Sequence, residues 1–366
     1  MPRLLVTGGA GFIGANFVSY WANAYPDDEI VVLDALTYAG NRANLAPTEG
    51  ADKLRFVHGD IGDQKLVESL LRDERLDMIV HFAAESHVDR SIHEPDAFIQ
   101  TNVVGTHNLL QTARNVWLAD DGPSWHRFHH VSTDEVYGTL GPNDPAFTEQ
   151  TAYAPNSPYA ASKAASDHLV RSYHHTYGMQ VTTSNCSNNY GPYQFPEKLI
   201  PLMFVNALTG KPLPVYGDGS NIRDWLYVED HCRGIDLVIR DGQIGETYNI
   251  GGNNEIPNID IVKNICSSID AIFENDPALR DVYPDAPAAR GETTESLITF
   301  VKDRLGHDWR YAIDATRAES ELNYAPRESF STGLQKTLRW MLANENWWRA
   351  VMDGSYRDWI ATNYDD

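Results

Sequence analysis

The sequence has little cysteine, no long apolar run and no recognisable leader. Its three cysteines, Cys186, Cys232 and Cys266, lie 46 and 34 residues apart, a spacing that indicates neither a disulfide framework nor a zinc site. No apolar run approaches the roughly 18 residues that span a bilayer. The N-terminus, MPRLLVTGGAGFIG, is broken by glycines and does not read as a signal peptide. We therefore expect a cytoplasmic protein with no membrane partner.

Basic residues are also scarce. The chain has 29 Lys and Arg against 51 Asp and Glu, a net charge of −22. Such a charge disfavours nucleic acid and anionic membranes as partners, and an anionic ligand would need a local basic pocket. The 366 residues, 42% of them hydrophobic, suffice for one large or two medium globular domains.

Short apolar runs alternate with helical stretches in the first half of the chain. Candidate strands cover residues 3–8, 29–34, 54–60, 77–83, 127–133 and 180–186, and helical apolar spacing recurs near 12–24, 63–75, 95–118 and 157–177. Near-continuous apolar strands between helices are typical of a parallel sheet covered on both faces. We predict an α/β, doubly wound parallel sheet of the Rossmann type over residues 1–188.

The second half is less regular. It shows one further strand at 248–252 and helical signals near 258–273, 293–303 and 331–344. We predict a smaller, mixed α/β substrate-binding lobe over residues 189–366, from which a segment near 226–256 returns to the main sheet. Because no linker composition separates the two lobes, they should share a cleft.

A glycine-rich turn, VTGGAGFIG, follows the first strand and opens the first helix. Gly9, Gly11 and Gly14 satisfy G-x-G-x-x-G, and Gly8, Gly11 and Gly14 satisfy G-x-x-G-x-x-G. A Cβ in such a turn would keep a pyrophosphate away from the helix N-terminus. Asp34 ends the second strand 20 residues after Gly14, where an acid binds a ribose 2′-hydroxyl and repels a 2′-phosphate. The pattern predicts NAD rather than NADP.

Two further motifs carry chemistry. Tyr159 and Lys163 are four residues apart on a predicted helix and so project from one face. A nearby ammonium and a cationic nicotinamide would both stabilise a tyrosine phenolate, which can take a proton from an alcohol.

The predicted strand at 127–133 ends at Thr133, and two adjacent acids, Asp134 and Glu135, follow it directly. Taken alone, two adjacent acids are most simply a solvated turn.

Longer blocks narrow the interpretation. Together with the motifs above, four longer stretches resemble the extended short-chain dehydrogenase/reductases that act on nucleotide sugars, and among them the 4,6-dehydratases. The stretches are LDALTYAGN, AAESHVDRSI, STDEVYG and SNCSNNYGPYQFPEKLIP. The resemblance continues past residue 313. It implies a homodimer that takes NAD as cofactor and dTDP-glucose as substrate. The implied reaction is oxidation at C4, loss of water across C5 and C6, and reduction at C6.

The resemblance also implies roles for individual residues. Tyr159, aided by Lys163 and Thr133, would act at the C4 hydroxyl, Glu135 would take the C5 proton, and Asp134 would protonate the leaving hydroxyl. The implied cofactor-binding residues are Gly8, Gly11, Phe12, Ile13, Gly14, Asp34, Ala35, Leu36, Thr37, Asp60, Ile61, Phe82, Ala83, Ala84, Glu85, Ser86, Thr101, Tyr159, Lys163 and Asn189. The implied substrate-binding residues are Ser86, Thr133, Asn188, Lys198, Leu199, Pro214, Val215, Tyr216, Arg223, Asn258, Asp303, Arg304 and His307.

Lys198, Arg223, Arg304 and His307 would form the basic pocket that two phosphate charges require. One departure concerns the segment that commonly reads D-R-P-G-H in the family, in which this chain has Leu305 in place of proline. The sequence therefore does not predict which contacts this loop makes.

No metal site is expected. The sequence has two pairs of adjacent histidines, His129/His130 and His174/His175. His129 and His130 lie on a predicted strand, where neighbouring side chains face opposite ways. No cluster of cysteines or acids accompanies either pair.

Three alternatives to the implied function stay open. The first is a 4,6-dehydratase for another nucleotide sugar, the second a UDP-sugar 4-epimerase or decarboxylase, and the third a non-catalytic NAD-sensing module. The acid pair favours dehydration, because epimerisation needs no acid and base for elimination.

Overall fold

The computed structural model describes residues 2–37, 39–48, 53–303 and 307–353, without the side chains of Asp89 and Asp353. The strands are β1 Arg3–Thr7, β2 Glu29–Asp34, β3 Leu54–His58, β4 Met78–His81, β5 Arg127–Thr133, β6 Val181–Cys186, β7 Asn188–Tyr190, β8 Leu213–Tyr216, β9 Ile222–Tyr227, β10 Thr247–Ile250, β11 Glu255–Pro257 and β12 Ile298–Val301. The α-helices are α1 Phe12–Ala24, α2 Gln64–Asp73, α3 Val88–His93, α4 Pro95–Phe98, α5 Thr106–Trp117, α6 Pro158–Tyr177, α7 Leu199–Leu208, α8 Val228–Asp241, α9 Asn258–Asn275, α10 Leu279–Val282, α11 Thr316–Leu322, α12 Phe330–Ala343 and α13 Glu345–Asp353.

The main sheet has seven strands in the order β10-β6-β5-β4-β1-β2-β3, and all its pairings are parallel. Successive strand residues face opposite sides. Leu5 and Val31 pack with residues of α2, α5 and α6, whereas Leu4 and Val32 pack with residues of α1 and α8. Both faces are therefore buried, which explains the near-continuous apolar strands. The predicted doubly wound α/β fold is confirmed.

The second lobe packs around its own core. Residues of α7, α9 and α12 surround β8 and β9, with Phe204, Ile265 and Leu338 fully buried among them. Its strands form a three-stranded sheet, β11-β9-β7, and a two-stranded parallel sheet, β12-β8. Although β10 follows β9 in the chain, it pairs with β6 at the edge of the main sheet. The division near residue 188 stays a prediction.

Two of the predicted segments differ in the structure, which also contains elements that the sequence analysis did not predict, among them β8, β9, α7 and α8. The helix predicted over 293–303 is wrong: a 3₁₀ turn, Thr294–Leu297, is followed by β12. The sequence ITFV of β12 is rich in β-branched and aromatic residues, which favour a strand when a partner is present, and β8 supplies that partner. The predicted helix at 95–118 is interrupted by a π-helical turn, Ile99–Gly105, between α4 and α5.

A cleft opens at the carboxyl edge of the main sheet, the edge where ligands bind in open α/β sheets. Residues that end or directly follow β1 to β6 line it. Within the described ranges, no helix is both long and apolar enough to pass through a membrane.

Candidate active site

The cleft gathers nearly all of the predicted cofactor-binding residues. Of that set, Leu36 alone is absent from the lining. Its side chain is buried in the core beside α1, and its main-chain N–H donates to Asp34. The residues that do line the cleft are Gly8, Gly11, Phe12, Ile13, Gly14, Asp34, Ala35, Thr37, Asp60, Ile61, Phe82, Ala83, Ala84, Glu85, Ser86, Thr101, Tyr159, Lys163 and Asn189.

The glycines of the first turn differ in what requires them. Gly8 has a φ of +68°, and a Cβ there would lie 2.5 Å from the main-chain nitrogen of Ala83. A Cβ at Gly14 would lie 2.2 Å from the carbonyl oxygen of Gly8. Both positions therefore need glycine for the fold itself. A Cβ at Gly11 would approach only the Gly8 oxygen, at 3.2 Å, and Gly11 lines the cleft.

The N-terminus of α1 fits an anionic group. Its N-cap residue, Gly11, provides no capping side chain, and the first turn contains no acidic residue. The main-chain N–H groups of such a turn, together with the helix dipole, bind phosphate. The open space beside Gly11 leaves room for a pyrophosphate at this point. The residues present therefore fit the dinucleotide that the glycine pattern predicts.

Asp34 connects the glycine turn to the end of β2. Its Oδ2 accepts a hydrogen bond of 2.9 Å from the main-chain N–H of Ala10, and its Oδ1 accepts one of 2.8 Å from that of Leu36. Burial raises the pKa of this carboxyl, while the two hydrogen bonds act in the opposite direction. Each carboxylate oxygen can accept more than one hydrogen bond, so the predicted ribose contact is compatible with this arrangement.

The strand β5 delivers Thr133, Asp134 and Glu135 to the cleft. Thr133 is its last residue and the N-cap of a 3₁₀ turn, Asp134–Tyr137, in which Thr133 Oγ1 accepts a 3.3 Å hydrogen bond from the Glu135 main-chain N–H. Asp134 is 2% exposed, whereas Glu135 is partly exposed. The two neighbouring acids thus lie in different environments.

Asp134 lies in surroundings that favour its neutral form. Burial raises its pKa well above the usual value, and the charges of Glu135 and Asp224 raise it further, while Arg223 and the Thr133 hydroxyl act in the opposite direction. Within the described part of the chain, its Oδ2 has no hydrogen-bond partner. Such surroundings favour the protonated form, which can donate its proton.

Tyr159 and Lys163 project from α6 into the same cleft. Burial raises the pKa of Tyr159 well above its usual value, the charges of Glu135 and Cys186 add to this, and the contact with Thr133 opposes it. Burial lowers the pKa of Lys163, with Asp167 acting in the opposite direction. The protein groups therefore favour the phenol, and a phenolate needs additional positive charge, which a bound nicotinamide ring would provide.

The predicted substrate residues separate into two groups. Ser86, Thr133, Asn188 and Lys198 line the cleft, so Lys198 is the member of the predicted basic pocket that reaches it among those that the structure describes. Arg304 lies outside the described residues, as does Leu305. The remaining residues, which are not part of the lining, are Leu199, Pro214, Val215, Tyr216, Arg223, Asn258, Asp303 and His307.

Arg223 is buried beside the acid pair rather than in the cleft lining. Its guanidinium donates to the carbonyl oxygens of Ile222 at 2.7 Å and Asp308 at 2.9 Å. It also lies 4.3 Å from the ring centre of Tyr311. Arg223 thus joins β9 to the segment around residue 308, and its charge opposes the rise in the pKa of Asp134.

The other members of the second group belong to the second lobe. Val215 is 2% exposed and part of the core of that lobe, so its side chain faces away from any cleft. The rings of Tyr216 and His307 are 6.2 Å apart, and His307 Nδ1 lies 2.7 Å from Asp303 Oδ1. Leu199 and Asn258 are the first residues of α7 and α9, and Pro214 lies in β8.

Sequence reasoning missed several lining residues. Cys186 ends β6, so the rule that ligands bind at the carboxyl ends of parallel strands could have identified it. Gln194 and Phe195 follow a left-handed turn at Tyr193, with φ +67°, for which the sequence carries no comparable signal. The complete set missed is Leu33, Ala39, Gly40, Gly59, Val131, Ser132, Cys186, Ser187, Gln194 and Phe195.

The buried histidines of β5 have structural partners. His129 lies 3.0 Å from Thr182 Oγ1 and 3.1 Å from Ser184 Oγ through its two ring nitrogens. His130 Nε2 lies 3.0 Å from Asp167 Oδ1. Among the residues that the structure describes, no group of three His, Cys, Asp or Glu side chains could hold a metal ion.

Comparison with known proteins gives consistent results. A family model described as GDP-mannose 4,6 dehydratase matches residues 5–337. A dTDP-glucose 4,6-dehydratase of Xanthomonas campestris pv. campestris (strain B100) is 55% identical over 359 residues, 98% of each chain. The crystal structure of DesIV, a dTDP-glucose 4,6-dehydratase from Streptomyces venezuelae with NAD and dTDP bound, is 50% identical, with a TM-score of 0.84, and the match covers 95% of this chain and 99% of that one.

The fold is shared more widely. The structure of a UDP-glucuronic acid 4-epimerase from Bacillus cereus, in complex with UDP-glucuronic acid and NAD, has a TM-score of 0.77. It is 26% identical, and the match covers 93% of this chain and 99% of that one. Between the dehydratase and the epimerase structures the sequence identity falls from 50% to 26%, whereas the TM-score falls only from 0.84 to 0.77. Sequence identity therefore separates the two kinds of enzyme more clearly than the fold does.

Proposed function

The chain belongs to the GDP-mannose 4,6 dehydratase family, and we propose that within it the protein acts on dTDP-glucose. It is an NAD-dependent hydro-lyase that converts dTDP-glucose to dTDP-4-keto-6-deoxyglucose and water. The 55% identity to a dehydratase over 98% of both chains, against 26% to a 4-epimerase of similar fold, supports this function over epimerisation.

One observation of the site carries the choice of reaction. Asp134 is buried in surroundings that raise its pKa, directly beside Glu135. Elimination of water needs an acid for the departing oxygen and a base for the neighbouring carbon, whereas epimerisation at C4 needs neither. The same pair argues against a non-catalytic NAD sensor, in which a buried acid with one unpartnered oxygen would only reduce the stability of the fold.

The proposed roles follow from the environment of each side chain. Tyr159 as phenolate takes the proton of the C4 hydroxyl, with the Thr133 hydroxyl beside it and the Lys163 ammonium supplying positive charge. Glu135, partly exposed, removes the C5 proton, which the C4 ketone makes acidic. Asp134 donates its proton to the C6 oxygen, so that water leaves. As C6 is reduced, C5 takes a proton back from Glu135. Tyr159 has then gained one proton and Asp134 has lost one, and proton exchange with solvent restores both.

The cofactor would be held at the turn between β1 and α1, with Asp34 at the ribose and Tyr159 and Lys163 at the reactive end. When bound, NAD supplies the redox chemistry by accepting the C4 hydrogen with two electrons and giving them back at C6. The reaction consumes no external oxidant, so we expect the protein to purify with NAD bound. Activity strictly proportional to added NAD would contradict this expectation.

A direct test offers the purified protein dTDP-, UDP-, GDP- and CDP-glucose and follows the product by mass spectrometry. We expect loss of one water from dTDP-glucose at the highest rate. Faster loss of water from another nucleotide sugar would make the protein a dehydratase for that substrate. A product of unchanged mass with inverted C4 would identify an epimerase.

We also propose that the protein is a cytoplasmic homodimer. Its three cysteines are free and buried, as expected in a reducing compartment. Ile92, Ile99 and Val104 are exposed on the described segment from α3 to the π-helical turn, and a second copy would cover them. Light scattering at micromolar concentration tests the assembly, and a monomer would exclude it.

A further inference from the structure

The last described helix, α13, contacts the cofactor turn through a single buried amide. Trp347 Nε1 donates a hydrogen bond of 2.7 Å to Asn44 Oδ1. Asn44 is 3% exposed, and its Nδ2 donates a hydrogen bond of 2.9 Å to the carbonyl oxygen of Ala10. Ala10 lies between Gly9 and Gly11 in the turn that fits a pyrophosphate. The hydrogen bond between Trp347 and Asn44 joins residues that are 303 positions apart, and Asn44 continues the connection to Ala10.

Asn44 also holds one wall of the cleft. It belongs to a 3₁₀ turn, Arg42–Thr48, that follows the lining residues Ala35, Thr37 and Gly40. The Ala10 carbonyl accepts a second hydrogen bond, of 3.0 Å, from the main-chain N–H of Asn41. Movement of this wall away from the glycine turn would have to break these contacts, and Trp347 holds the amide that makes one of them.

The same indole packs against a second wall of the cleft. The Trp347 ring lies 5.1 Å from that of Trp340 and 5.8 Å from that of Tyr193, and Tyr193 and Trp340 are 4.7 Å apart. Tyr193 directly precedes Gln194 and Phe195, which line the cleft on the side of the second lobe. Trp347 therefore contacts segments that belong to both walls.

We propose that Trp347 is a positioning residue for cofactor retention. Through Asn44 it holds the 39–48 segment on the glycine turn, and through Tyr193 it holds that segment against the wall that includes Gln194 and Phe195, so that NAD leaves slowly. The proposal rests on the proposed function, in which NAD stays bound from one turnover to the next. Trp347 has no part in the chemical steps.

An exchange experiment tests the proposal. The full-length protein is loaded with labelled NAD, chased with excess unlabelled NAD, and the label that stays bound is followed over time. The Trp347→Phe variant keeps an aromatic ring but loses the N–H donor, and we expect it to release NAD about three to ten times faster, the factor that corresponds to one net hydrogen bond. Trp340→Phe is the matched control, and we expect it to exchange at the wild-type rate.

A second variant makes the result specific. Asn44→Ala removes both the acceptor of the Trp347 hydrogen bond and the donor to Ala10, so NAD release should be faster than in the wild type. Adding Trp347→Phe to this variant should accelerate release no further, because both changes break the same chain of contacts. Effects that multiply in the double variant, or equal acceleration by Trp340→Phe, would overturn the proposal, as would wild-type release from Trp347→Phe.

Further readouts separate the possible failures. Thermal unfolding without added NAD shows whether a variant simply loses stability. If Trp347→Phe does, Asn44→Ala becomes the test of the proposal, and NAD release from Asn44→Ala at the wild-type rate would overturn it. Turnover of dTDP-glucose by the wild-type protein tests the proposed function independently. Normal turnover together with unchanged NAD release in the variants would reject the role of Trp347 and leave the function standing.

Discussion

The ammonium of Lys163 donates a hydrogen bond of 2.8 Å to the main-chain carbonyl oxygen of Val131. Val131 lies two residues before Thr133, at the carboxyl end of β5, and both Lys163 and Val131 are buried. The contact joins α6 to β5 at the point where the proposed catalytic residues emerge. Because Tyr159 lies one helical turn before Lys163, this bond also sets the position of the phenol relative to Thr133.

The first prediction concerns Tyr159. Tyr159→Phe removes the oxygen that we propose takes the C4 proton, so oxidation should fall by about 10² to 10⁴ in rate. The absorbance of the reduced cofactor should then fail to rise when substrate is added to the NAD-loaded protein. Tyr173→Phe makes the same change on α6 at a residue that contacts His107, and it should leave turnover unchanged. Normal oxidation in Tyr159→Phe would remove the residue from the mechanism.

The second prediction separates two glycines of the same turn. Gly11→Ala should unfold at nearly the wild-type temperature, because its φ of −75° suits any residue and the added Cβ would meet only the Gly8 oxygen at 3.2 Å. It should nevertheless bind NAD weakly, since the methyl group occupies the space beside the helix N-terminus. Thermal unfolding and NAD titration measure the two effects.

Gly14→Ala is the comparison, because its Cβ would lie 2.2 Å from the Gly8 carbonyl oxygen. This variant should lose stability whether or not NAD is present. Equal NAD affinity in Gly11→Ala and the wild type would mean that no pyrophosphate lies at this turn.

The third prediction concerns a buried carboxylate below the site. Asp167 accepts hydrogen bonds of 2.9 Å from Ser132 Oγ and Tyr153 Oη and lies 3.0 Å from His130 Nε2. Burial raises its pKa from 3.8 to about 6, with Lys163 acting in the opposite direction. The folded state therefore binds this proton more tightly than the unfolded state, so the stabilisation is full below pH 3.8 and is lost as the pH rises through 6.

Asp167→Asn removes this titration. Between about pH 5.5 and about pH 7.5, the unfolding free energy of the wild type should fall by about 1 kcal/mol more than that of the variant. Urea unfolding at the two pH values, at equal protein concentration, provides the comparison. The same pH dependence in both proteins would show that Asp167 is ionised throughout.

Much of the cofactor-binding part of the site could be predicted from local sequence patterns. The glycine turn, α1 and Asp34 are encoded within about one βαβ unit, where spacing and chemistry are read directly from the sequence. The main-sheet strands were predictable because both of their faces are buried. The helix α1 begins and ends at the predicted residues, 12 and 24.

Long-range contacts explain what the sequence could not reveal. The strand β12 forms because β8, more than 80 residues earlier, pairs with it. The guanidinium of Arg223 contacts the carbonyl oxygen of Asp308, 85 positions away. The raised pKa of Asp134 also depends on Asp224 and Arg223, which the second lobe brings next to β5. No local pattern contains these relationships.

The last prediction separates the roles of the two neighbouring acids. If Glu135 removes the C5 proton after the ketone has formed, Glu135→Gln should oxidise C4 but exchange the C5 hydrogen with deuterated solvent far more slowly than the wild type. If Asp134 protonates the departing oxygen, Asp134→Asn should still oxidise C4 and exchange C5 but release water slowly. Each loss should be about 10² to 10⁴ in rate, so the partial reactions stay measurable.

The environment of Asp134 adds a second readout. Since its pKa is raised well above the usual value, water release should decline on the alkaline side of that raised pKa as Asp134 loses its proton. Asp134→Asn, whose amide does not titrate, should lack that decline in its residual water release. The double variant Asp134→Asn, Glu135→Gln gives the strictest test. Release of water from it at the wild-type rate would mean that the acids are only a turn between β5 and the residues that follow, and the chain would then be better explained as an epimerase.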